Sequence, residues 1–133
     1  MQTITFEYGP KKLYLYFNGE AMFQIDALDA QRAEDQPEVL ERMQSPTAEG
    51  FRLLSQVAVI LATQGELCRR YLQYTPERVP SAEELLLVLT PMQMLGLRTA
   101  VLQTVNAGWS KTTSDGEGDL DTGLAELEKK TKL

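Results

Sequence analysis

The stretch from Ser45 to Tyr74 constrains this chain more than any other. Ser45 suits a helix N-cap, and Pro46 suits the first helical position, where the N–H has no intrahelical partner in any case. Apolar or small residues then recur at helical spacing in two adjacent stripes. Phe51, Leu54, Ala58, Leu61, Gly65, Cys68 and Leu72 form one; Leu53, Val57, Ile60, Leu67 and Tyr71 form the other. Together they make an apolar face wider than a surface helix needs. From Val57 to Ala62 the pattern is apolar nearly all round, which predicts the buried axis of a small core. Arg69 and Arg70 fall near the C-terminal end, where cations suit the helix dipole. Gly65 stands in mid-helix, where glycine is unfavourable by about 1 kcal/mol relative to alanine. It marks the close approach of another element, the last helix or the hairpin, or else a contact between subunits, and is the candidate self-association residue.

An axis of this kind needs covering elements, and the flanking sequence supplies them. Ile4, Phe6 and Tyr8 alternate with polar residues at period two, Gly9-Pro10 marks a turn, and Leu13 to Phe17 is rich in apolar and aromatic residues. Asn18-Gly19 is a strong hairpin signal, with Ala21 to Ile25 as its return strand. Asp26 can cap a helical turn over 27–30, and Asp35 to Glu38 has capping-box spacing before a short helix, Pro37 to Gln44. Beyond Tyr74, a connector rich in proline leads to a capping box at Ser81 and a short helix, Ala82 to Leu89. Thr90-Pro91-Met92-Gln93 is another cap and opens a last long helix to about Ala107, with Gly108 as its C′ residue. The expected architecture is α+β, mostly helical, with an N-terminal β-hairpin or small meander. Residues 1–109 form a single globular domain, with the hairpin in 1–25 and helices over 26–109. Residues 110–133 read as a flexible acidic linker and a short amphipathic segment, in which Leu120, Leu124 and Leu127 share one helical face.

The totals narrow the function. A chain of 133 residues with net charge −6 lacks the basic surface that general nucleic-acid binding or attachment to anionic membranes requires. There is no histidine, the commonest general base and metal ligand. Cys68 lies on an apolar stripe and reads as a core residue. The acidic run Asp115, Glu117, Asp119 and Asp121 lacks the flanking helices and bidentate glutamate of a calcium loop. The expectation is a protein without catalytic residues, metal or cofactor, in the cytoplasm, where a single cysteine and an N-terminus unlike a signal peptide are natural. What remains is apolar surface for a partner. The candidate residues are Leu85, Leu86, Met92 and Met94 around the Thr90-Pro91 corner, and Leu120, Leu124 and Leu127 near the end. The same corner also has the outline of a helix-turn-helix, although Arg98 is the one charge over residues 92–107.

Several segments, in order, resemble the tail assembly chaperones of long-tailed phages and prophages of Gram-positive bacteria. They are Phe17-Asn18-Gly19-Glu20-Ala21-Met22 with Ile25-Asp26-Ala27-Leu28; Gln64-Gly65-Glu66-Leu67 with Arg69-Arg70-Tyr71; Leu89-Thr90-Pro91; and Gly123-Leu124-Ala125-Glu126-Leu127-Glu128-Lys129-Lys130-Thr131. The resemblance implies a largely helical, self-associating, non-enzymatic protein of the host bacterial cytoplasm. It implies binding to the tape measure protein, which such chaperones keep soluble while tail tube subunits polymerise around it. The alternatives are a small DNA-binding regulator using the Thr90-Pro91 corner, and a structural or adaptor prophage protein.

Overall fold

The computed structural model describes residues 3–110. The hairpin is built earlier than its strongest sequence signal suggests. Strands β1 (Ile4–Tyr8) and β2 (Lys11–Leu15) pair antiparallel, with Tyr8 opposite Lys11 and Ile4 opposite Leu15. The turn between them is Gly9-Pro10. Gly9 takes φ +61°, which the first central position of a tight type II′ hairpin turn demands. Asn18-Gly19 is instead a helix start. The Asn18 side chain accepts from the Ala21 N–H at 2.9 Å, and its amide donates to Gln64 Oε1 at 3.1 Å. Residues 21–25, expected as a return strand, therefore lie in helix α1 (Gly19–Asp29), with Ala21 and Ile25 buried. The hairpin ends at Leu15, and the helical part begins at Gly19.

Helix α2 is short (Val39–Arg42). It is started not by a capping box but by Asp29, whose Oδ1 accepts from the Val39 N–H at 2.6 Å. The axial helix α3 runs Ala48–Tyr71, about 36 Å at 1.5 Å per residue. Thr47, not Ser45, caps it, accepting from the Gly50 N–H at 3.1 Å. Leu54, Val57, Ala58 and Leu61 are fully buried on it. Each of the larger three contributes roughly 2 kcal/mol of apolar burial. The far end closes in a Schellman motif: Tyr74 N–H bonds the Arg69 carbonyl at 2.8 Å, and Gln73 N–H bonds that of Arg70 at 2.9 Å. Gln73 holds the left-handed position, φ 70°, where glycine is usual.

Helices α4 (Ala82–Val88) and α5 (Pro91–Trp109) complete the described residues, each opened by a capping box. Gly108 is inside α5 rather than beyond it, and glycine is needed there because a side chain would meet Phe17 Cβ and its carbonyl oxygen, both at 2.9 Å. The hairpin lies between α3 and α5: β2 runs along α3, and β1 sits on α5. Leu13 and Leu15 from β2 join Met43, Leu54, Leu61, Leu85, Leu97 and Val101 in one core. Of the linker and amphipathic segment expected over 110–133, Ser110 is the C-cap of α5 and residues 111–133 lie outside the described residues.

Gly65 is explained by this packing. A Cβ there would stand 2.7 Å from the Tyr14 carbonyl carbon and closer still to its oxygen. The missing side chain admits the edge of β2 against α3, and Tyr16 N–H bonds the Leu61 carbonyl at 3.1 Å one turn away. Gly65 is thus spent on a contact within the chain, which corrects its assignment to self-association.

Candidate functional site

A cluster of exposed apolar side chains next to a hollow lies at the corner between α4 and α5. Its placement begins with a buried carboxylate on α3. Glu66 is paired with Arg69 at 3.0 Å and Arg70 at 3.3 Å, and it accepts the Glu77 N–H at 2.7 Å. Arg69 in turn donates to the Thr75 carbonyl at 3.0 Å and lies over the Tyr14 ring at 4.0 Å. These bonds fix the connector between Tyr74 and Ser81, and so fix where α4 begins. Ser81 Oγ then accepts the Glu84 N–H at 3.1 Å, and Glu84 Oε1 accepts the Ser81 N–H at 2.8 Å.

Two turns of helix with apolar residues on every side cannot bury them all. Leu85 and Leu89 point into the core. Leu86 and Val88 are partly out, and Leu87 is 83 % exposed. Thr90 ends this turn and starts the next helix: its Oγ1 accepts the Gln93 N–H at 3.2 Å, and Gln93 Oε1 accepts the Thr90 N–H at 2.9 Å. Met92, in the first turn of α5, is 75 % exposed, whereas Met94 is buried. Of the partner-binding candidates, Leu86 and Met92 are therefore at the surface. Leu85 and Met94 are core residues and leave the candidate surface, because α4 and α5 turn those faces into the core. Leu120, Leu124 and Leu127 lie outside the described residues. Leu87 and Val88 belong to the surface although periodicity did not single them out from the Leu85 to Leu89 run. The signal for them was the shortness of the helix itself.

Beside this strip, a hollow of about 370 Å³ separates α4 from the hairpin turn, lined among others by Tyr8, Pro10, Lys11, Arg78, Glu84 and Val88. The Arg78 guanidinium is paired with Glu84. The Ser81 N–H first, and then Arg78, hold the Glu84 carboxyl below its ordinary value. Burial, helped by the Glu84 charge, pushes the Tyr8 hydroxyl up. The hollow thus has an apolar wall and, at its rim, the Arg78–Glu84 pair compensated within the chain. Such a surface can receive an apolar side chain of another polypeptide without breaking that pair.

Other features fit the helix-turn-helix outline less well. Arg98 donates to the Gln44 carbonyl at 2.6 Å and is engaged within the fold. Cys68 is half-buried, near the edge of the core rather than within it. Among the described residues, no group of three or more aspartate, glutamate or cysteine side chains converges as a metal site, and no helix is long and apolar enough to cross a membrane. Comparison of the chain with protein-family models, with curated proteins and with solved structures gives no match.

Proposed function

We propose that this protein is a non-enzymatic tail assembly chaperone, holding the tape measure protein in the host cytoplasm while tail tube subunits assemble. The observation that carries the reading is the exposed strip of Leu87, Val88 and Met92 on a doubly capped corner. Rigid caps keep these side chains outside the core, and methionine adapts to varied apolar partners. The resemblance in segment order supports the same reading: Leu89-Thr90-Pro91 is this corner, and Gln64-Gly65-Glu66 is the part of α3 that holds the hairpin and the connector in place.

Co-expression with a phage tape measure protein tests it. The expected result is a soluble tape measure protein that co-purifies with this chain. The double variant Leu87→Asp, Met92→Asp should lose co-purification while keeping the wild-type melting temperature, since both side chains are exposed. A tape measure protein equally soluble and unbound without this chain rejects the proposal.

A further inference from the structure

We infer that the outer edge of β1 and the neighbouring face of α5 form a second docking site, which takes an extended segment of a partner polypeptide as a third strand. The argument starts from register. In a hairpin with a two-residue turn, the residues flanking the turn form a hydrogen-bonded pair, and bonded pairs then alternate. Tyr8 with Lys11, Phe6 with Leu13 and Ile4 with Leu15 are therefore the bonded pairs. The even positions of β2 point the other way, as the Tyr16 N–H bond to Leu61 and the Tyr14 carbonyl facing Gly65 both confirm. By the same alternation, the N–H and C=O groups of Thr5 and Glu7 point outward from β1. Among the described residues, no helix or strand other than β2 and α5 approaches β1, and Thr5 and Glu7 are exposed. The strand carries no proline, lysine or bulge of the kind that blunts an open edge.

The floor beside this edge is also open. A Cβ on Gly96 of α5 would meet the Phe6 ring at an ordinary 3.6 Å, so Gly96 faces β1, yet it remains exposed. Met92 and Thr99 share that helix face, four residues before and three after, and are exposed too. Wall and floor together specify the occupant. Only an extended backbone presents donors and acceptors at the spacing of Thr5 and Glu7. Its side chains toward α5 must be small and apolar, to lie over Gly96 between Met92 and Thr99. Its outward side chains meet Glu7, which is exposed and paired from the β2 side with Lys12 at 4.0 Å, and a basic residue on the open side adds a second cation beside that carboxylate. The occupant is an extended segment alternating small apolar and basic residues, distinct in chemistry from an apolar side chain received at the α4 corner.

The test uses the intact protein and a capped hexapeptide of alternating lysine and valine, with a second version N-methylated at alternate residues so that it cannot pair. Amide exchange of Thr5 and Glu7 is followed by NMR. The unmodified peptide should slow both amides at least tenfold and leave those of Phe6 and Tyr8, already bonded to β2, unchanged; the N-methylated peptide should do neither. Thr5→Pro, which removes one outward donor and spares the bonds to β2, should abolish the effect with the fold intact by circular dichroism. Two results overturn the inference. One is no slowing at millimolar peptide. The other is slowing that appears without peptide as protein concentration rises, which would assign the edge to a second copy of this chain. Met92 borders both surfaces, whereas Leu87 borders the α4 corner alone, so Leu87→Asp by itself tests the chaperone proposal separately.

Discussion

The two edges of the hairpin have the same backbone chemistry and opposite surroundings. The edge of β2 is closed by a helix: Gly65 gives up a side chain, the Tyr14 carbonyl moves in, and Leu61 accepts the Tyr16 N–H. The edge of β1 is left with Thr5 and Glu7 facing outward. Gly96 of α5 makes the same allowance beside it, and no described residue takes the space. A two-stranded sheet is marginal by itself, so closing one edge against α3 is what makes the hairpin part of the fold. The comparison teaches that a glycine in a helix is informative only together with what stands opposite it.

The sharpest way to break this contrast is to make the same substitution at both glycines. Gly65→Ala drives a methyl group into the Tyr14 carbonyl and should destabilise the protein by about 3 kcal/mol, the upper end for overpacking, read from urea unfolding. Wild-type stability in that variant would mean that β2 is not held as described. Next in size is Glu66→Gln, which weakens the bonds that hold the connector. Its loss should be about 2 kcal/mol, as for hydrogen bonds to a charged group, with both arginines still present. Gly96→Ala should act in the opposite direction, stabilising by about 0.5–1 kcal/mol through helix propensity, because its new methyl has room. The smallest effect concerns Glu84. Its folded-state value lies below the ordinary 4.5, so its stabilising contribution is complete above that value and is lost as pH falls through the lower folded one. The difference in melting temperature between wild type and Glu84→Gln should therefore shrink from neutral to acid pH.

Much of this was legible in the residues, and the failures share a cause. The caps at Ser81 and Thr90 and the long axial helix follow from local pattern, because each cap is completed by a residue three positions away. Asn18-Gly19 misled because asparagine serves a tight turn and a helix N-cap equally well. What decides between them is Gln64, forty-six positions distant, which accepts from the Asn18 amide. Ser45-Pro46 and Thr47 compete for the start of α3, and Gly50, which bonds Thr47, settles it. At the candidate corner, the apolar run was visible but its division was not. Leu85 and Leu87 stand about 200° apart on α4, and which of them is buried depends on the face that packs on the rest of the fold, a tertiary quantity. Glu66 was unreadable for the same reason: on a helical wheel it is one polar position among others, and its role needs the Glu77 amide beside it.

The seam between Phe17 and the end of α5 has a spectroscopic consequence. The chain carries one tryptophan, and it is here: the Trp109 ring stands 5.9 Å from that of Phe17, centroid to centroid. These residues come from opposite ends of the described chain, so their contact forms only when hairpin, axial helix and last helix are all in place. Tryptophan fluorescence therefore does not average over the molecule. It watches a closure between sequence-distant parts of the fold, while the α4 corner and the β1 edge carry no indole of their own.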